Sequence, residues 1–176
     1  MLYTKTKKQK KRKTMAPSSK KNRRTRRRMP ARSSRLANSS ASSASSSVAA
    51  FQKEITIAFL EMLMMVKLFH WKTTSFAVHK ATDELYSSFN ENIDHFIEVL
   101  LGKTGERTNL TRVSAISLID LTSPEELKSK IIHFKKYLAQ LNHNQVLNSF
   151  ENTDLFNIRD EMLGNLNKFI YLLSLS

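Results

Sequence analysis

The sequence predicts an all-α fold, a four-helix bundle preceded by a long basic tail. Apolar residues recur at helical spacing in four segments, and the 176 residues include only three Gly and three Pro. No stretch shows the apolar–polar alternation of a half-buried strand. Residues 48–176 are enough for one core but few enough that contacts between copies would add stability.

The first helix is expected from about Ser47 to Lys72. Phe51, Ile55, Phe59, Met62, Val66 and Phe69 form one apolar stripe, and Ile57, Leu60, Met64, Leu68 and Trp71 form a second. Apolar character on two sides suits a bundle helix that also meets a partner subunit. Lys72 to Ser75 is the expected break, because Thr73, Thr74 and Ser75 are weak helix interiors and good N-caps. The second helix is expected from about Phe76 to Leu101, with Tyr86, Phe89, Ile93, Phe96 and Leu100 inward and a stop at Gly102. A linker, Lys103 to Thr122, crosses to the third helix. That helix opens with the clearest start signal in the chain: Ser123 as N-cap, Pro124 at N1 and Glu126 at N3. It carries Leu127, Ile131, Phe134, Leu138 and Leu141. The fourth, from about Thr153, carries Leu155, Ile158, Met162, Leu166, Phe169 and Leu173.

The charge is not spread evenly. Residues 1–47 contain 16 of the 29 Lys and Arg and no Asp or Glu, so the net +14 divides into +16 for the tail and −2 for the rest (13 basic, 15 acidic). The cations Lys7, Lys8, Lys10, Lys11, Arg12, Lys13, Lys20, Lys21, Arg23, Arg24, Arg26, Arg27, Arg28, Arg32 and Arg35 run into a Ser/Ala linker, NSSASSASSS. Such a segment buries too little apolar surface to order itself, so residues 1–47 are expected to be disordered. Sixteen cations on a flexible arm release counterions from phosphates, which predicts salt-sensitive, sequence-indifferent binding to DNA or RNA. Tyr3 is the sole ring in the tail, so the binding is expected through the backbone rather than by base stacking. The same runs would satisfy a nuclear localisation signal, contact anionic lipid or serve as a transit peptide, although the apolar face of a transit peptide is missing. There is no Cys, which removes disulfides and thiolate metal sites. No apolar run reaches the ~18 residues of a membrane span and no apolar segment follows the basic start, so neither membrane insertion nor secretion is expected.

Five potential metal ligands lie in one stretch: His70, His79, Asp83, Asp94 and Glu98. His79 and Asp83 are four apart, as are Asp94 and Glu98, so each pair stacks on neighbouring turns of one helix face. At about 100° per residue the four fall within an arc of roughly 100°. Asp83 and Asp94, however, are separated by about 16 Å of helix axis, and a ligand must sit within about 2.0 to 2.2 Å of a metal. One copy cannot close a site. Two copies packed antiparallel about a twofold axis bring each pair against the other at both ends, which predicts two intersubunit sites per dimer. His70 can join His79 only if the chain turns between them, since nine residues of continuous helix would put the two on opposite faces. His95, His133 and His143 have no comparable company, and the absence of Glu-x-x-His argues against an intrasubunit di-iron site.

This stripe resembles that of the Dps family of mini-ferritins, DNA-binding proteins of the ferritin-like superfamily. The resemblance rests on His70–Trp71 at the end of the first helix, then His79-x-x-x-Asp83, then Asp94-x-x-x-Glu98 eleven residues on, and covers residues 50–102 well and the last helix more weakly. The His70 to His79 gap is three residues shorter than in typical members. The resemblance implies a ferritin-like bundle with a short helix in the crossover, here the SAISLIDL portion, and assembly of twofold dimers into a closed shell such as a dodecamer. It implies ferroxidase chemistry: iron bound by His70, His79 and Asp83 of one subunit with Asp94 and Glu98 of the other, oxidised by peroxide or dioxygen. Trp71 would be a local electron donor, with core packing as its plainer role. Association with a nucleoid or nucleus would follow from DNA binding. Ferritin-like proteins of large DNA viruses are also similar, and the alternative is a structural DNA-packaging protein of a virion interior that kept the bundle without turnover.

Overall fold

The computed structural model describes the backbone of residues 34–175 and the side chains of residues 45–175. Four helices carry the fold: α1 Ser34–Lys72, α2 Phe76–Thr104, α3 Pro124–Gln140 and α4 Thr153–Leu173. Two 3₁₀ turns, Leu141–His143 and Leu147–Ser149, join α3 to α4. No strand occurs among the described residues.

The long-range contacts fix the directions. Gln52 Nε2 donates to Thr104 Oγ1 at 2.7 Å, while His70 meets His79, so α1 and α2 form an antiparallel hairpin. Lys103 pairs with Asp154 at 2.8 Å and Glu84 pairs with Lys168, so α4 runs antiparallel to α2. Lys72 pairs with Asp120 at 2.7 Å, which places the start of α3 at the α1–α2 turn. The order is therefore up, down, down, up, with one long crossover between α2 and α3. Phe59 fills the centre against Phe96 at 5.3 Å and Phe134 at 6.2 Å, both edge-on, and Phe89 meets Phe134 at 6.0 Å. All six residues of the first α1 stripe are buried, whereas Trp71 and Met64 of the second are exposed.

Three expectations are corrected. Helix α1 begins at Ser34 rather than Ser47. The Ser/Ala run holds no Gly or Pro to stop a helix that is already nucleated on the packed residues, and its weak Ser propensities are offset by that nucleation. The backbone of residues 34–47 is helical, and residues 1–33, where most of the expected disorder falls, lie outside the described residues. Helix α2 passes through Gly102 and ends at Gly105, whose φ of 69° is left-handed and whose N–H bonds Leu101 O. The crossover contains no helix: residues 105–122 form an extended strap with one turn at Thr111–Arg112. The path explains it. Glu106 is bonded to Ser45 and Asp120 to Lys72, so fourteen residues must span about 40 Å of α1, where a helix of that length would cover only about 21 Å. Ser117 N–H, bonded to Glu61 Oε1 at 3.2 Å, pins the strap again between these ends.

The α3 start matches its reading. Ser123 Oγ accepts from Glu126 N–H at 3.2 Å, and the Glu126 carboxylate reaches back to Thr122, accepting from its N–H at 2.8 Å and its hydroxyl at 3.0 Å.

Candidate metal centre

The α1–α2 turn does the positioning. Thr73 N–H bonds Phe69 O and closes the last turn of α1, residues 73–75 are non-helical, and Ser75 caps α2 in an extended conformation with its hydroxyl accepting from Val78 N–H. Residues that compete with helix interiors and favour caps make the break without Gly or Pro. His70 and His79 are thereby brought face to face, with ring centroids 4.0 Å apart and planes inclined by 24°.

Their hydrogen bonds are reciprocal. His70 Nδ1 lies 3.1 Å from His79 O, and His79 Nδ1 lies 3.1 Å from His70 O. A carbonyl oxygen only accepts, so each Nδ1 carries the hydrogen and each Nε2 is left as the basic nitrogen. The buried Thr82 hydroxyl holds the same corner, bonded to Val78 O at 2.8 Å and 3.2 Å from His70 Nδ1. His70 Nε2 is 3.9 Å from Asp83 Oδ1, one turn beyond His79. His70 is buried, His79 half-buried and Asp83 exposed, so the corner opens to solvent on its carboxylate side. A cleft of about 700 Å³ runs beside it, lined by Ala77, Lys80, Asp83, Glu84 and Leu175 among others.

Asp94 and Glu98 are not brought to this corner. Both are exposed on α2, eleven and fifteen residues beyond Asp83, on the same outward stripe. Within one chain no three His, Asp or Glu side chains among the described residues are grouped to hold a metal ion. Trp71 is 66% exposed, with Lys67 Nζ 5.8 Å from its ring centre and 4.3 Å from that of Tyr86. His95, His133 and His143 are exposed and apart from the corner. Of the tail cations, Lys7 to Arg32 lie outside the described residues, and Arg35 sits in the first turn of α1. Thr82 escaped the sequence reading. Its signal was a hydroxyl residue at a core-facing position of α2, between Val78 and Leu85.

A family profile matches residues 70–173, more than half of the 176-residue chain, and begins at His70 itself. The chain belongs to the DUF5856 family. DUF5856 is described as a family of unknown function, and the match covers all five candidate ligands while leaving the tail and most of α1 outside it. No curated protein and no solved structure matches the chain. Among the described residues no helix is long and apolar enough to cross a membrane.

Proposed function

We propose that the chain is a Dps-like mini-ferritin that binds nucleic acid through its basic tail and oxidises Fe(II) at sites shared between two subunits. The observation that carries the reading is the His70–His79 corner. Two imidazoles tied by Nδ1–H to backbone carbonyls, with Nε2 basic and a carboxylate 3.9 Å away, have the outer-shell arrangement of metal-binding histidines. The up-down-down-up order with one long crossover is the connectivity of ferritin-like bundles.

The outward stripe supplies the other half. In the antiparallel register that sets His79 against Glu98 of the partner subunit and Asp83 against Asp94 of the partner subunit, Phe76 falls opposite Leu101 of the partner subunit. Phe76 is 77% exposed in the single chain, so the pairing also covers an unburied aromatic ring. Two imidazole nitrogens and three carboxylates form a donor set that suits ferrous iron and has no thiolate to favour softer metals. In this reading Fe(II) is the substrate. His70 and His79 hold it through Nε2, and Asp83, Asp94 and Glu98 supply three negative charges. Those charges favour the trivalent product over the divalent ion, which promotes electron loss to dioxygen or peroxide. Thr82 and the paired carbonyls keep the imidazoles in the binding tautomer.

Complementation tests this reading. His79→Ala and Glu98→Ala should each abolish Fe(II) oxidation, while mixed dimers of the two variants should recover one site, since one interface half then combines both intact partners. Full activity in either variant, or no recovery in verified mixed dimers, would refute shared sites and leave the DNA-packaging reading as the better account.

A further inference from the structure

We infer that a divalent cation controls the pairing of the chains, so that the metal-free protein is a monomer and metal closes the dimer. The inference rests on the shared-site reading and concerns what holds the interface together. Each site would gather Asp83 with Asp94 and Glu98 of the partner subunit, and the twofold repeats this, so six carboxylates face one another across the interface. All three side chains are exposed in the single chain. Among the described residues neither Asp94 nor Glu98 has an ion-pair partner, and Asp83 has only the His70 imidazole, at 3.9 Å.

The nearby cations are committed elsewhere. Lys72 pairs with Asp120, Lys168 pairs with Glu84, and Lys67 lies over the Tyr86 and Trp71 rings. Lys80 alone remains on the stripe, one positive charge per chain against three negative. The exposed apolar side chains near this face that favour association, Trp71, Phe76 and Leu175, sit at the turn end of the stripe, and its centre is acidic and polar: Asp83, Ser87, Asn90, Asp94. Like charges brought together without counter-charge oppose the contact, and a bound divalent ion reverses the sign of that term. Ligands divided between two chains make metal affinity and subunit affinity one linked equilibrium. The metal is then the clasp as well as the substrate.

Zn²⁺ serves as the probe because it binds imidazole and carboxylate without redox chemistry. The full chain is followed by sedimentation velocity in EDTA and across a Zn²⁺ titration, with binding stoichiometry measured in parallel. The expected result is a 20.3 kDa monomer in EDTA and twice that mass, or even multiples of it, with Zn²⁺, reversed by chelation. His79→Ala and Glu98→Ala, checked for unchanged helix content, should need at least tenfold more Zn²⁺. A dimer or larger assembly that persists in EDTA overturns the inference while leaving shared sites standing if two Zn²⁺ still bind per dimer. Absence of both a mass change and Zn²⁺ binding overturns the inference and the shared-site reading together.

Discussion

Two glycines three residues apart should respond to the same substitution with opposite signs. Gly102 lies in the last turns of α2, where a Cβ would meet nothing within 4 Å. Gly102→Ala therefore adds no clash and removes backbone freedom from the unfolded chain, a gain of about 0.5 to 1 kcal/mol. A Cβ at Gly105 would likewise meet open space, but the φ there is +69°. The cost of substitution at Gly105 is purely conformational, about 1 to 2 kcal/mol for an L-residue held in the left-handed region. The two variants should thus differ by about 2 kcal/mol, or roughly 4 to 8 °C in Tm for a folded unit of this size. Thermal unfolding followed by far-UV circular dichroism on the full chain reads both. If Gly102→Ala destabilised and Gly105→Ala did not, the helix would end at Gly102, and the bond from Gln52 to Thr104 that closes the hairpin would not exist.

Tyr137→Phe should stabilise the protein by about 1 kcal/mol, because its hydroxyl is buried with no hydrogen-bond partner among the described residues. Burial, aided by the Glu54 charge, raises the Tyr137 phenol above its ordinary 10.0. The phenol's contribution is present below that value and lost as pH rises beyond it, so the Phe variant should show a flatter alkaline limb in denaturant titrations. Hydrogen bonds from Thr122 hold the Glu126 carboxyl below its ordinary 4.5, so its capping contribution is present above pH 4.5 and lost as pH falls. Glu126→Gln should be less stable than the parent at neutral pH, with the gap closing in acid; a constant gap would refute the role of the charge. Removing residues 1–33, which carry 15 of the 16 tail cations, changes the net charge from +14 to −1 and should abolish DNA retardation in gels while leaving α1 intact.

What was legible in the sequence is what local chemistry decides. Apolar periodicity located the buried stripes of all four helices, Ser123-Pro124 marked the start of α3, and three hydroxyl residues marked the α1–α2 break. The failures share a cause outside the local window. Gly102 and Gly105 have the same intrinsic preferences, and Thr104, the residue before the glycine that ends the helix, is bonded to Gln52, 52 residues away. The apolar SAISLIDL segment is compatible with a helix, but its ends are tethered too far apart for one. Likewise the stripe of candidate ligands was visible as spacing, whereas the reciprocal bonds of His70 and His79 depend on the path of the turn, which spacing alone does not specify.

The short turn also has a kinetic consequence. Contacts between α1 and α2 near Thr73–Ser75 close loops of about ten residues, whereas those joining α2 to α4, such as Asn92 with Glu161, span 69. Loop-closure entropy favours the local hairpin in the folding transition state, with the α3 and α4 contacts made later. His70, His79 and Thr82 would then be high-φ positions, where substitutions slow folding more than they speed unfolding, and φ near zero at these residues would contradict that order. The residues that shape the His70–His79 corner therefore help to nucleate the fold, and that corner is in place before the core has closed.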